Sequence, residues 1–497
     1  MLSSPIKIAE TSRSVALLAA SIALLALAVR VWNLHGQSIT IDELFELDLA
    51  TKSLPDIIQA KDGFPPLYQL LLKGWIAVFG PATARELSIV FGLMILPPIW
   101  WIGKMIAGHS VAWTAVALTA ISPLNVWYAQ DGRANALFYL LAITSVAFFI
   151  KAMTTTPTAS RHWLGYVAIS ALGLYTHYYF ALVVAGLFAT APLYADFRSK
   201  LPSLLLVGIA LLFAIAPWIW LLPPDLNLQT GYLAEAPVLD LKSLAYTLVT
   251  FIFGFSVGPS LADLHVLRSG RVLLEGLPWG IAAVSACILA LWPLRRDAAS
   301  IRWVMRLAIT VVVPIALCGI AASSLDLGYR VRYLGWGASL LIIALSLGIV
   351  RGQSSLASAA AVGIIVCGSL ISLANRNFND RYANEDSRSA AAYLAANHTA
   401  SRPVFVMSDY MAPTISYYLK GEPQLLRVPG MAPTDTPAAA LNVIRGQIAA
   451  GQPFLLVYSR PWDGDPGGQV KQGLETAAGL KLEAEWSGIQ LYAGRGW

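Results

Sequence analysis

Carboxylates crowd one short stretch of this chain. Between positions 42 and 62 there are six, Asp42, Glu43, Glu46, Asp48, Asp56 and Asp62, against Lys52 and Lys61. A carboxylate held against a hydroxyl can act as a general base, taking the proton as the oxygen attacks. The same residues also fit a helix start. Thr40 suits the N-cap with Glu43 three residues on, and acids in a first turn complement the helix dipole. Both readings apply to Asp42 and Glu43, whereas Glu46 and Asp48 read as a solvated face.

Three further groups could do chemistry. Tyr128, Gln130, Asp131 and Arg133 fall within six residues; Tyr175, His177, Tyr178 and Tyr179 form an aromatic turn around one imidazole. Asp326 is followed by Tyr329, Arg330, Arg332 and Tyr333. The planar guanidinium of arginine grips phosphate with two parallel hydrogen bonds, so paired arginines suit a phosphate ligand. Each group also has a structural reading: Trp127 and Tyr128 as interfacial anchors, Arg133 snorkelling or paired to Asp131, and His177 packed among aromatics. There is no Gly-rich phosphate loop, HExxH, nucleophile elbow or EF-hand, so no soluble nucleotide site is expected. No cofactor is required. A divalent metal beside the acid cluster is compatible with the residues, but no ligand spacing demands one, and none is assigned.

The elements that must position these groups follow from composition. Of 497 residues, 57% are hydrophobic and 12% charged, with a mean hydropathy of +0.63. Soluble domains carry roughly 25% charged residues, which excludes a water-soluble enzyme and a disordered chain. Eleven apolar segments, near 15–33, 87–107, 111–124, 134–150, 163–178, 180–195, 202–222, 276–293, 303–322, 333–350 and 355–374, predict an α-helical polytopic membrane protein of about 11 transmembrane helices. The N-terminal segment, after Lys7 and Arg13, reads as an uncleaved first span. Segments 65–80 and 243–256 are too short to cross and read as interfacial or re-entrant.

The net charge is +6, yet the tail from Arg376 holds eleven basic and eleven acidic residues. The excess therefore sits in the membrane part, and no nucleic-acid partner is needed to explain it. With the N-terminus cytoplasmic, Lys151, Arg161, Arg198, Lys200, Arg295, Arg296, Arg302, Arg306 and Arg351 all fall inside. All four chemical groups then fall on the outer face. The organisation expected is a membrane module over 1–375, with a first outer loop over 34–86, and a small C-terminal α/β domain over 376–497 on the outer side. In that domain an amphipathic helix over 380–401 and helices near 412–419 and 437–450 surround buried strands at 403–408 and 453–459. Cys287, Cys318 and Cys367 lie in apolar runs and set up no disulfide framework.

In this order and sidedness the motifs resemble the GT-C superfamily, membrane glycosyltransferases that use polyprenyl-phosphate sugars. Protein O-mannosyltransferases and the aminoarabinose transferases that modify lipid A look most similar. The resemblance rests on Asp42-Glu43, on Phe64 to Tyr68, on Trp127 to Arg133, on Tyr175 to Tyr178, on Arg330 to Tyr333 and on Glu385 to Leu394. Gly63-Phe64 stands where many relatives have a His before the two prolines, and Gln130-Asp131-Gly132-Arg133 replaces a Gln-Glu-Ala-Arg.

The resemblance implies inverting transfer of a sugar from a polyprenyl-phosphate donor to an acceptor hydroxyl on an envelope glycan, a lipid such as lipid A, or a protein. It implies Asp42 as base with Glu43 beside it, and Arg330 and Arg332, with Arg133, on the donor phosphate. Tyr68, Tyr128, Gln130, Asp131, His177, Tyr178 and Tyr329 are the expected substrate contacts. The implied location is the inner membrane of a bacterium, with the site facing the periplasm. A flippase or transporter of a lipid-linked saccharide would use the same outer arginines. It is disfavoured because no charge sits clearly mid-membrane and no inverted repeat is visible.

Overall fold

The computed structural model describes residues 5–59, 65–155, 160–222, 239–267, 269–325, 329–352, 354–399, 401–419, 421, 423–428 and 437–497. Lys61, Asp62, Gly63 and Phe64 of the first outer loop, and Asp326, Leu327 and Gly328 ahead of Tyr329, lie outside the described residues.

Each of the eleven apolar segments is helical, but not all are long enough to cross a bilayer. Seven helices have that length and composition: Arg13–Val31, Pro81–Ala107, Asn135–Thr154, Phe197–Leu221, Ser269–Arg296, Ala298–Ser324 and Ser355–Phe378. An eighth candidate is the pair His109–Ala120 and Pro123–Ala129, bent by 58°. The remaining three segments form Ser160–Leu174, Phe180–Thr190 and Trp336–Arg351, of 15, 11 and 16 residues. At 1.5 Å per residue, 11 residues rise only about 16 Å, half the hydrocarbon thickness. Of the about eleven expected, seven or eight among the described residues have full spanning length and the rest are shorter apolar helices; hydropathy marks an apolar segment without fixing how much of it is one straight helix. The two segments excluded as spans are the short helices Leu67–Phe79 and Leu241–Phe253.

The bend after Ala120 is built by sequence and held by two buried polar side chains. Pro123 has no amide hydrogen to continue the helix ladder. Beyond the end of the helix ladder the carbonyl of Ala120 accepts from Arg30 Nη1 at 2.9 Å, and Arg30, in the first span, is fully buried. Reciprocally, Gln130 Nε2 donates to the carbonyls of Arg30 and Trp32 at 2.9 and 3.0 Å, where that span ends. Buried carbonyls need such partners. The two exchanges tie the loop 130–133 to the start of the first outer loop.

The C-terminal domain contains a five-stranded mixed sheet in the order β2-β1-β3-β5-β4. The strands are β1 (Val404–Met407), β2 (Leu425–Val428), β3 (Pro453–Ser459), β4 (Lys481–Trp486) and β5 (Ile489–Arg495). β1 runs parallel to β2 and β3, and β5 is antiparallel to β3 and β4. The two strands expected from sequence are the parallel pair β1 and β3, covered on both faces and so continuously apolar. β2, β4 and β5 were not expected, because a partly exposed strand carrying polar residues breaks up the apolar run.

Helices Ser387–Asn397 and Ala412–Leu419 cover one face of the sheet, and Pro437–Gly446 and Gln469–Ala478 the other. This domain sits directly on the first outer loop. Ile41 packs into its core, Ile39 N donates to the Tyr418 hydroxyl at 2.8 Å, and Ser38 Oγ donates to Asp386 at 3.0 Å.

Candidate active site

The helix Ile41–Thr51 opens with the capping box that the residue types allow. The Thr40 side chain accepts from the Glu43 amide, and the Glu43 carboxylate accepts from the Thr40 amide at 2.9 Å. Glu43 does more than cap. Its two oxygens also accept from Thr40 Oγ1 (3.1 Å), Arg85 Nε (2.7 Å), Arg85 Nη2 (2.8 Å) and the Gly132 amide (2.9 Å). Arg85 in turn donates to the carbonyls of Leu34, Gln37 and Ser38. A buried carboxylate is tolerated only when so fully compensated, and these bonds clamp the loop 130–133 against the first outer loop. A Cβ on Gly132 would lie 3.3 Å from Glu43 Oε1, so glycine permits the close approach.

Asp42 precedes Glu43 by one residue, about 100° around the helix, and meets a different environment. Its side chain is 50% exposed; Oδ2 lies 3.0 Å from Arg133 Nη1 and 3.6 Å from Arg332 Nη1. Arg133 holds the Asp42 carboxyl below the usual carboxylate range, with Arg332 adding to it and partial burial opposing it. Arg332 Nη2 donates to the Tyr333 hydroxyl at 3.1 Å, and its backbone carbonyl accepts from Tyr139 at 2.6 Å. Arg332 Nε is buried without a partner. A Cβ at Gly335 would sit 1.9 Å from the Tyr139 hydroxyl, so this glycine makes room for the bond that fixes the Arg332 backbone. Among the described residues Arg330 has no ion pair within 4 Å, and it too draws the Asp42 carboxyl down.

The aromatic turn closes one side. His177 stacks on Phe138 (centroids 5.3 Å, 21°) and meets Tyr333 at 4.9 Å; its Nδ1 accepts from the Tyr179 amide at 3.1 Å. Burial, then Arg332 and Arg133, push its pKa down to about 3, so the imidazole is neutral. Tyr128 is buried edge-on to Tyr139 at 5.1 Å.

The structure thus gathers Asp42, Arg133, Arg332 and Asp131 within one cluster of charges, with His177 against Tyr333 beside it. It places other expected contacts within hydrogen-bond networks of the fold. Gln130 braces the first span and accepts from Arg376 Nε at 3.1 Å; Tyr178 accepts from Trp218 Nε1 at 3.0 Å; Tyr329 pairs with Thr247 at 2.8 Å. Tyr68 is fully buried. Two participants were missed by sequence reading. Arg85 carries no signal beyond being an arginine at a helix start, and Arg460, in the C-terminal domain, also lowers the Asp42 carboxyl.

Asp131 is the unusual acid. It lies 3.8 Å from Arg133, and Asn135 Nδ2 donates to it at 3.5 Å. Burial, with Glu43 and Asp42 adding to it, outweighs Arg133 and raises its pKa to about 7. An unfolded Asp titrates near 3.9. Between those values the folded state holds a proton that the unfolded chain has released, so this group's contribution to stability falls as pH rises from about 4 to 7. Asp131→Asn mimics the protonated form. The gap by which its melting midpoint exceeds wild type is expected to widen from pH 5 to pH 8, and a pH-independent gap would show that Asp131 is already ionised at pH 5.

No protein-family model matches the chain, and no curated protein matches it. Solved structures do match. These are likenesses of fold at low sequence identity. In particular, apo ArnT from Cupriavidus metallidurans superposes with a TM-score of 0.60 at 14% identity, over 97% of this chain and 98% of that one. The same protein bound to undecaprenyl phosphate matches at 0.46 and 15% identity, over 97% and 98%. The Archaeoglobus fulgidus oligosaccharyltransferase, in complex with Zn and sulfate, matches at 0.50 and 12% identity, over 93% of this chain and 68% of that one. The likeness is one of fold, and the seven or eight long apolar helices make this chain a multi-pass membrane protein.

Proposed function

We propose that the protein is an inverting glycosyltransferase of a bacterial inner membrane, working at the periplasmic face with its N-terminus cytoplasmic. It moves a sugar from a polyprenyl-phosphate donor to an acceptor hydroxyl on an envelope glycan, lipid or protein. The observation that carries this reading is the half-exposed Asp42 carboxylate facing Arg133 and Arg332 in a fold that matches that of ArnT.

In this reading Asp42 Oδ2 takes the proton of the acceptor hydroxyl as its oxygen bonds to the anomeric carbon. The bond from that carbon to the phosphate oxygen breaks on the opposite side, and its electron pair leaves with the polyprenyl phosphate. That phosphate is a weak base, so no protein acid is needed for its departure. Arg330 and Arg332 meet its growing charge. Cations already in place as charge develops stabilise a transition state most effectively, and the long Arg332–Asp42 contact is loose enough for a phosphate oxygen to compete for it. Glu43, saturated by Arg85, Thr40 and Gly132, is a positioning residue. Among the described residues no group of three or more His, Cys, Asp or Glu side chains could hold a metal ion.

The test is transfer of radiolabelled sugar from synthetic polyprenyl-phosphate donors by the purified protein, with extracted envelope as acceptor. Movement of label into envelope material is expected; donor binding without transfer would favour the flippase. Hydrogen bonds to charged groups are worth about 1.5–3 kcal/mol, so Arg330→Gln and Arg332→Gln should each raise the donor KM about 10–100-fold. An unchanged donor KM in both variants would remove the phosphate from this position.

A further inference from the structure

The C-terminal sheet has a switch point in its strand order. From β1 the chain passes through helix Ala412–Leu419 to β2 on one side, then through helix Pro437–Gly446 to β3 on the other side of β1. The first helix packs on the face of Val404, Val406 and Leu455, the second on the face of Phe405, Met407 and Leu456. In open sheets of this kind a crevice opens outside the carboxyl ends of the two strands where the order reverses, and ligands bind there.

The residues following those strand ends are strained. Ser408, just after β1, and Arg460, just after β3, have φ of 61° and 45°, two of the three non-glycine residues with positive φ among those described. Side chains with a Cβ adopt this region at a cost of about 1–3 kcal/mol, and such strain gathers at binding sites. The two loops are locked together. Ser408 Oγ donates to the carbonyl of Ser459 at 2.9 Å, and a Cβ on Gly464 would lie 2.3 Å from Ser408 Oγ.

What the loops present is chemically specific. Arg460 Nε donates to Glu385 at 2.5 Å, and the Tyr410 hydroxyl donates to Asp463 at 2.6 Å. Trp462 stacks parallel on His265, which comes from the membrane module's outer loop, with centroids 5.2 Å apart and planes within 7°. An aromatic floor edged by a carboxylate, a guanidinium and a phenol is the lining that holds a polyhydroxylated ring: apolar C–H faces rest on the indole while hydroxyls find both donors and acceptors. Arg460 is paired with Glu385, and Asp463 adds a carboxylate, so these loops present charges of both signs.

We propose that this crevice is a saccharide-binding subsite, taking an uncharged sugar ring of the acceptor on Trp462 with its hydroxyls on Asp463 and Arg460. The acceptor role rests on the glycosyltransferase reading above. Trp462 rests on His265 of the membrane module, so a ring held here lies where the two parts of the chain meet.

The test uses the full chain carrying Asp42→Asn, so that nothing turns over, in lipid nanodiscs free of glycoside detergents. Saturation-transfer NMR is run with methyl glycosides of glucose, galactose, mannose and N-acetylglucosamine, and with glucose 6-phosphate. At least one neutral glycoside is expected to bind, with affinity reduced about tenfold by Trp462→Ala, largely retained in Trp462→Phe, and reduced by Asp463→Asn. Absence of binding by every neutral glycoside, an undiminished signal in Trp462→Ala, or preference for the phosphorylated sugar would each overturn the proposal. Because binding is read without turnover, failure here leaves the transfer assay to judge the glycosyltransferase reading separately.

Discussion

Asp42→Asn is expected to lower sugar transfer about 10²–10⁴-fold, the contribution of one positioned base, while leaving the fold intact. The substitution is nearly isosteric and the side chain is half exposed, so packing changes little. Its amide cannot take the acceptor's proton at neutral pH. Because Arg133 and Arg332 hold the carboxyl below the ordinary carboxylate range, Asp42 stays ionised from mildly acidic pH upward. Activity in wild type should therefore show no Asp42-dependent loss between about pH 5 and 8. Turnover of wild type and variant from the same synthetic donor, with melting midpoints alongside, checks both statements. Near wild-type turnover in Asp42→Asn would remove Asp42 as the base.

Glu43→Ala should act on the fold instead. The Glu43–Arg85 pair is almost wholly enclosed, with side chains 4% and 11% exposed. Removing one partner of such a pair leaves an uncompensated buried charge and costs about 3–5 kcal/mol. Here the guanidinium of Arg85 would be stranded, and the amides of Thr40 and Gly132 would lose their acceptor. A large fall in melting midpoint is expected, partly reversed when Arg85→Leu is added, since deleting both partners costs less than deleting one. Glu43→Gln retains an oxygen for capping and should fall between. A Glu43→Gln protein that melts like wild type but has lost turnover would instead make Glu43 a proton-handling group.

The acids after the first apolar segment, the arginines at 330 and 332 and the aromatic turn around His177 were legible because each is an exception to its surroundings. A charged residue beside a long apolar segment costs free energy, so its presence points to use. The central strands of the C-terminal sheet were legible for the opposite reason, being unbroken apolar runs between turn residues. How the apolar segments divide into crossing helices, short helices and a bent pair was not legible, because hydropathy is summed over a window while a bend depends on who accepts the freed hydrogen bonds.

By itself the sequence determined that this is a polytopic membrane protein with an acid-rich loop after its first apolar segment and a less apolar C-terminal part, since those properties follow from local composition and period. Only the tertiary structure decided that two adjacent carboxylates have different fates: Glu43 is buried under Arg85, while Asp42 faces Arg133 and Arg332. It alone brought Arg460 from 418 positions away toward Asp42. Burial and charge pairing depend on which distant residues the packing brings within a few ångströms, and no neighbour in sequence carries that information.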